Sequence, residues 1–280
     1  MTPPLGLLLD VDGPISSTRT RTLRLAALAD DLTAIARSGC PVVFNTGRSA
    51  DFLGEQIIPR LVLSGLAPTD PVWGIGEKGG TWFSLVDQHG RASVGPVSED
   101  QSMSPPAALI DASREIAERF SDIVYFDATK RTMISLEQHV DVPSADFHRA
   151  LPEMVAEVER QIERTGAHDM TIYPTFISVD VEHARSGKAL GARRALDLMG
   201  TRLEAPLRWF TAGDSGQDYD MATELHGRGF DVTHLDVRLS GDARDEPFRV
   251  IREVPDLAGG NAEDDITAYH VHELRAELRV

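Results

Sequence analysis

The 280-residue chain has a single cysteine, Cys40. One thiol cannot close an intramolecular disulfide, so the fold stands without a covalent staple, and a reducing cytoplasm is the expected compartment. Cys40 directly precedes Pro41 and an apolar run, which predicts a small core residue rather than a reactive thiol. Basic residues are also scarce, with 28 Lys and Arg against 44 Asp and Glu and a formal charge of −16. Phosphate backbones need basic stripes, so this balance excludes a nucleic-acid partner. It leaves room for a small anionic substrate, because a metal ion and a few local cations override the overall field. No stretch approaches the ~20 apolar residues of a membrane span. The first residues lack a basic leader ahead of a signal-length apolar core. A soluble, cytoplasmic protein with no membrane partner is the expectation. No internal repeat or low-complexity tract is found.

What the chain does have is 41% hydrophobic residues, ample for a packed core, in a pattern that changes twice along its length. The first third alternates short apolar runs with helical periodicity. Leu5–Leu9 is too short for a stable helix and ends in Asp-Gly turn chemistry. Leu25, Leu28, Leu32 and Ile35 follow at helical spacing. Further strands are predicted at 41–44 and 71–76, with a helix over 50–61 between them. The middle of the chain reads as exposed strands with helices to one side. The last third returns to the first rhythm, with helices at 187–199, 217–226 and 262–278 and strands at 207–213, 230–235 and 248–251. Buried strands joined through helices predict an α/β fold: a doubly wound, Rossmann-like parallel sheet covered on both faces. We expect a discontinuous core domain of residues 1–80 and 185–280, with an inserted α+β domain of residues 81–184.

Two strands end in carboxylates. Leu5–Leu9 runs into Asp10-Val11-Asp12-Gly13, and Leu207–Gly213 runs into Asp214-Ser215-Gly216-Gln217-Asp218. Ligands of open parallel sheets bind outside the carboxyl ends of the strands. Asp10, Asp12, Thr46, Asp214 and Asp218 all fall at or just beyond such ends. Mg²⁺ prefers carboxylate and carbonyl oxygens, and Asp218 lies one helical turn after Asp214. Without a cation, so many clustered carboxylates repel one another, and some bind protons. A carboxylate can attack phosphorus to give an aspartyl-phosphate, and a second carboxyl group can protonate the leaving oxygen and later activate water. Asp10 and Asp12 fit that division of labour. Thr46 offers a hydroxyl, and the Gly47 amide lies beside a helix start, where anions bind readily. The histidines at 168, 183, 270 and 272 lack metal-ligand context, and Trp73, Trp82 and Trp209 read as packing residues.

Asp10-Val11-Asp12-Gly13 resembles the first motif of the haloacid dehalogenase-like phosphatase superfamily, and Asn45-Thr46-Gly47-Arg48 its second. Gly213-Asp214-Ser215-Gly216-Gln217-Asp218 resembles the fourth motif of its sugar-phosphatase-like branch, with Gln217 where asparagine is usual. Glu77-Lys78-Gly79-Gly80 resembles the Glu-Asn-Gly-Ala that precedes the large α+β cap of that branch. The resemblance implies a Mg²⁺-dependent phosphatase acting on a small phosphomonoester, a sugar or polyol phosphate first among them. Asp10 would be its nucleophile, Asp12 its general acid/base, and Thr46 and Gly47 its phosphate site. Asp10, Asp12, Asp214 and Asp218 would form the metal site, and the cap would choose the substrate. The branch places a lysine where this chain has Ser186 in Ser186-Gly187-Lys188-Ala189-Leu190. Lys188, two residues later and about 200° around an ideal helix, is a candidate replacement in the phosphate site, as are Arg185 and Lys78. A phosphomutase, or a weakly catalytic binding or regulatory protein on the same fold, is the alternative function.

Overall fold

The computed structural model describes residues 2–200, 202–206, 208–242 and 244–280. Leu207, expected to open a strand, lies outside them. In chain order the elements are β1 (Gly6–Leu9), α1 (Ala26–Arg37), β2 (Val42–Asn45), α2 (Ala50–Phe52), α3 (Ile58–Leu63), β3 (Val72–Gly76), β4 (Thr81–Gln88), β5 (Arg91–Val94) and β6 (Ser98–Glu99). Then come α4 (Ala107–Arg119), β7 (Val124–Phe126), β8 (Met133–Gln138), α5 (Ser144–Thr165), β9 (Met170–Pro174), β10 (Ser178–His183) and α6 (Lys188–Met199). The last are β11 (Arg208–Gly213), α7 (Tyr219–Gly227), β12 (Asp231–Asp236), β13 (Arg249–Arg252) and α8 (Glu263–Leu278). A π-helical turn, Leu53–Ile57, joins α2 to α3, so the single helix expected there is wound in three pieces. None of the helices is long and apolar enough to cross a membrane, among the described residues.

The chain divides into two compact units, Met1–Ser98 with Gly187–Val280, and Glu99–Ser186. The first contains the sheet β13-β12-β11-β1-β2-β3-β4-β5. Its strands from β13 to β3 pair in parallel, and β4 and β5 add on antiparallel. Side chains alternate between faces, as a pleated strand requires. Leu7, Leu9, Val42, Phe44 and Phe210 pack against Leu28, Leu32, Ile57, Leu61, Ile266 and Val271. Leu8, Val43 and Trp209 turn the other way, toward Ala192, Ala195, Met199, Met221 and Leu225. Each fully buried leucine contributes about 2 kcal/mol. The doubly wound sheet read from the sequence is therefore present. Cys40 is buried in the first of these clusters.

Residues 81–98 depart from the expected division. The sequence pattern places them in the insertion, but β4 hydrogen-bonds along β3 and β5 along β4, extending the main sheet. A hairpin next to a sheet edge satisfies its backbone groups most directly by adding to that edge. The second unit carries an antiparallel sheet in the order β7-β8-β10-β9. Ile134, Leu136, Val179 and Val181 face Leu109 and Ile116 of α4 and Phe147, Met154 and Val158 of α5. The alternate residues of those strands, Ser135, Glu137, Asp180 and Glu182, make the other face polar.

Candidate phosphoryl-transfer site

The strand order reverses between β1 and β11: chain order runs outward through β2 and β3 on one side and through β12 and β13 on the other. At such a switch point the connections diverge and leave a crevice beyond the strand ends. The first acidic tip is tied to its neighbour there, because the Asp10 amide donates to Ala212 O at 3.0 Å. Gly13 then turns with φ 87°, and a Cβ on it would fall 2.6 Å from Asp214 Oδ2. Only glycine lets the two tips approach this closely.

Three carboxylates converge. One oxygen from each of Asp10, Asp214 and Asp218 lies within 4.8 Å of the other two. Asp218 is held from two sides: the Ser215 amide and hydroxyl donate to Oδ2 at 2.9 and 2.7 Å, and Lys188 Nζ meets Oδ1 at 2.7 Å. Lys188 Nζ also donates to Asp10 Oδ1 at 2.5 Å and to Asn45 O at 2.8 Å. An ammonium has three hydrogens; two are donated to Asp10 and Asn45, and the Asp218 contact is an ion pair. Lys188 therefore brings a cation to Asp10 although Ser186 stands where the resemblance expects the lysine. Arg185 belongs to the second unit and donates to Ser102 Oγ at 2.7 Å. Lys78 is buried, with its Cε 3.7 Å from where a Cβ on Gly47 would stand.

Burial and crowding show in the titration of these groups. Burial pushes the Asp10 carboxyl up to about 7, with Asp218 and Asp12 adding to the rise and Lys188 opposing it. Burial also holds Asp214 well above the usual carboxylate range, and its neighbours Asp10, Asp218 and Asp12 push the same way. Burial works against the charge on Lys188, but Asp10 and Asp218 prevail and raise its pKa. Counting formal charges, Asp10, Asp214 and Asp218 against Lys188 leave −2. That excess, on hard oxygen donors, is what a divalent cation such as Mg²⁺ would neutralise.

Asp12 stands apart from this group. Its carboxylate is part-exposed and gripped by Arg48, whose Nε lies 3.0 Å from Oδ2 and whose Nη2 lies 3.1 Å from Oδ1. The three-carboxylate cluster thus omits the Asp12 side chain, which the sequence had grouped with the metal ligands. Thr46 is fully buried at the end of β2, and its Oγ1 accepts from the Arg48 amide at 3.0 Å. That bond draws the backbone around Gly47 into a tight turn. The sequence assigned no role to Asn45 or Ser215 and no specific partner to Arg48. Only the spacing of Ser215 and Asp218, which permits a local side-chain-to-backbone bond, offered a signal.

No family model matches the chain, and no curated protein sequence does. Solved structures do share its fold. The C-terminal domain of trehalose-6-phosphate phosphatase from C. albicans is 12% identical, with a TM-score of 0.65 over 98% of this chain and 93% of that one. A trehalose-6-phosphate phosphatase related protein is 13% identical, with a TM-score of 0.59 over 97% of each chain. The sucrose-phosphatase from a Synechocystis species, solved with sucrose and phosphate, is 15% identical, with a TM-score of 0.52 over 96% of this chain and 97% of that one. The chain therefore shares the fold of these solved structures over nearly its whole length.

Proposed function

We propose that this protein is a phosphatase that hydrolyses a small phosphomonoester through an aspartyl-phosphate on Asp10. The observation that carries this reading is the convergence of Asp10, Asp214 and Asp218 on one point, with Lys188 against Asp10. A carboxylate oxygen of Asp10 attacks phosphorus, and the bond from phosphorus to the ester oxygen breaks. Asp12 enters this step as the carboxylic acid, released from its Arg48 ion pair, and gives its proton to the departing oxygen. In the second half, Asp12 takes a proton from water as the water attacks the phosphorus. Phosphate leaves, and the Asp10 carboxylate is restored. Lys188 offsets the repulsion between Asp10 and an incoming phosphate. The Thr46 hydroxyl and the Gly47 amide donate hydrogen bonds to the phosphate oxygens. Asp10, Asp214 and Asp218 would hold Mg²⁺, which when bound supplies neutralising charge and orients the transferring group.

The 99–186 unit is proposed as the cap that selects the substrate. Its polar sheet face carries Tyr125, Glu137, Asp180, Glu182 and Tyr173, with hydrogen-bond acceptors and rings suited to a polyhydroxylated leaving group. The sugar-phosphate phosphatases that share the fold support a sugar or polyol phosphate. The test is phosphate release from a panel of sugar, polyol and nucleotide monophosphates with and without Mg²⁺, using Asp10→Asn as control. Release that needs both Asp10 and Mg²⁺ is expected. Release unchanged by Asp10→Asn would reject the nucleophile. Isomerised product in place of free phosphate would assign a phosphomutase.

A further inference from the structure

Lys188 meets Asp10 although it lies two residues past Ser186. Lys188 is the first residue of α6, and the cap position before it is Gly187, which has no side chain to fix the helix end. The start of the helix is anchored from outside. The Gly187 amide donates to Lys78 O at 2.9 Å. Asn45, fully buried at the end of β2, touches Lys188 twice: its main-chain carbonyl accepts from Nζ at 2.8 Å, and its side-chain Nδ2 donates to the Lys188 carbonyl at 3.0 Å.

We propose that Asn45 is a positioning residue that clamps Lys188 at backbone and ammonium, and that Gly191 is required for the clamp. β2 is paired along β1 and β3, so the clamp references Lys188 to the sheet that presents Asp10. An ammonium on a flexible four-carbon stem is otherwise free to swing toward water. A buried amide is costly unless it is hydrogen-bonded, and an apolar residue would fill this site without that cost. Gly191 supplies the second, independent mark. A Cβ there would fall 2.0 Å from Asn45 Oδ1 and 2.5 Å from Nδ2. Glycine weakens a helix, and at this position it makes room for the amide. Only the kinetic part of the proposal rests on the phosphatase reading.

The test uses the full chain with two readouts. One is hydrolysis of p-nitrophenyl phosphate with Mg²⁺. The other is native-state acetylation of Lys188 by an N-hydroxysuccinimide ester, followed by mass spectrometry. Asn45→Ala is expected to lower kcat about tenfold while KM stays within about twofold, as for a group that acts in the transition state. Lys188 then keeps the main-chain carbonyl of residue 45 on its Nζ but loses the bond that fixes its own backbone, and it should be acetylated about fivefold faster. Gly191→Ala, which evicts the amide, should give the same two changes. Combined with Asn45→Ala it should add nothing further, because the two substitutions break one contact. Wild-type kcat and wild-type acetylation in both variants would overturn the proposal, whatever happens to their melting temperatures. If Asn45→Ala does not fold, Gly191→Ala carries both readouts. If the wild type hydrolyses nothing, the phosphatase reading fails while acetylation still decides the clamp: faster labelling in the variants supports it, and unchanged labelling overturns it.

Discussion

Beyond the ends of β1 and β11, three carboxylates cluster and one lysine pairs with two of them; at the end of neighbouring β12, one carboxylate is shared by two arginines and a tyrosine. Asp236 accepts from Tyr219 Oη at 2.6 Å, from Arg238 Nε and Nη2 at 3.0 and 2.8 Å, and pairs with Arg252 Nε at 3.3 Å. Burial pushes its carboxyl up, but the bonds from Arg238 and Tyr219 prevail and hold it below the usual range. His234 lies in β12 with its Nδ1 2.8 Å from Thr211 Oγ1; burial pushes it down to about 4, so it adds no charge near neutral pH. Two buried ionic clusters on adjacent strands thus have opposite balances. A cluster kept for structure leaves its buried carboxylate fully paired, because an uncompensated buried charge is expensive. A cluster left with excess negative charge is a place prepared for a cation and for chemistry.

The contrast can be broken at either cluster. Asp10→Asn has the largest expected effect, a fall in kcat of about a thousandfold or more with the fold intact, since it removes the proposed nucleophile. Lys188→Met should lower kcat about a hundredfold by leaving Asp10 and the phosphate without their counter-charge; steady-state kinetics on p-nitrophenyl phosphate measures both. Asp236→Ala should behave in the reverse sense. It takes the carboxylate from Arg238 and Arg252, which keep only main-chain carbonyls as acceptors, and should cost about 3 kcal/mol in urea unfolding, while kcat of the folded fraction stays within about threefold.

The smallest effect is a pH dependence. The folded pKa of Asp10 lies above its ordinary value, so between about 4 and about 7 the native state binds more protons than the unfolded state. Stability without Mg²⁺ should therefore decline as pH rises through that window. Saturating Mg²⁺ favours the ionised carboxylates and should flatten the decline. Melting curves at stepped pH, with Asp10→Asn as control, read this directly. A slope unchanged in Asp10→Asn would assign it to other groups.

The parallel core was legible because period-two burial and turn residues are local properties. Leu7 and Leu9 on one face and Leu8 on the other follow from the pleat alone. The carboxylate tips were legible for the same reason: each ends a strand. The hairpin of β4 and β5 was seen as strands but placed in the wrong unit, since a strand's sequence does not name its pairing partner. Lys188 was harder still. Its reach depends on the register at which α6 begins, which is set by Gly187 and by Asn45, more than a hundred residues away in sequence. The pairing of Arg48 with Asp12 likewise rests on two strand ends meeting across the sheet.

The most direct measurement is calorimetric titration of Mg²⁺ into the wild-type protein and into Asp214→Asn, at a pH above 7. One ion per chain, with binding abolished when Asp214 loses its charge, is the predicted result. An isotherm identical in the two proteins, or no heat in either, would contradict a metal centre assembled from β1 and β11.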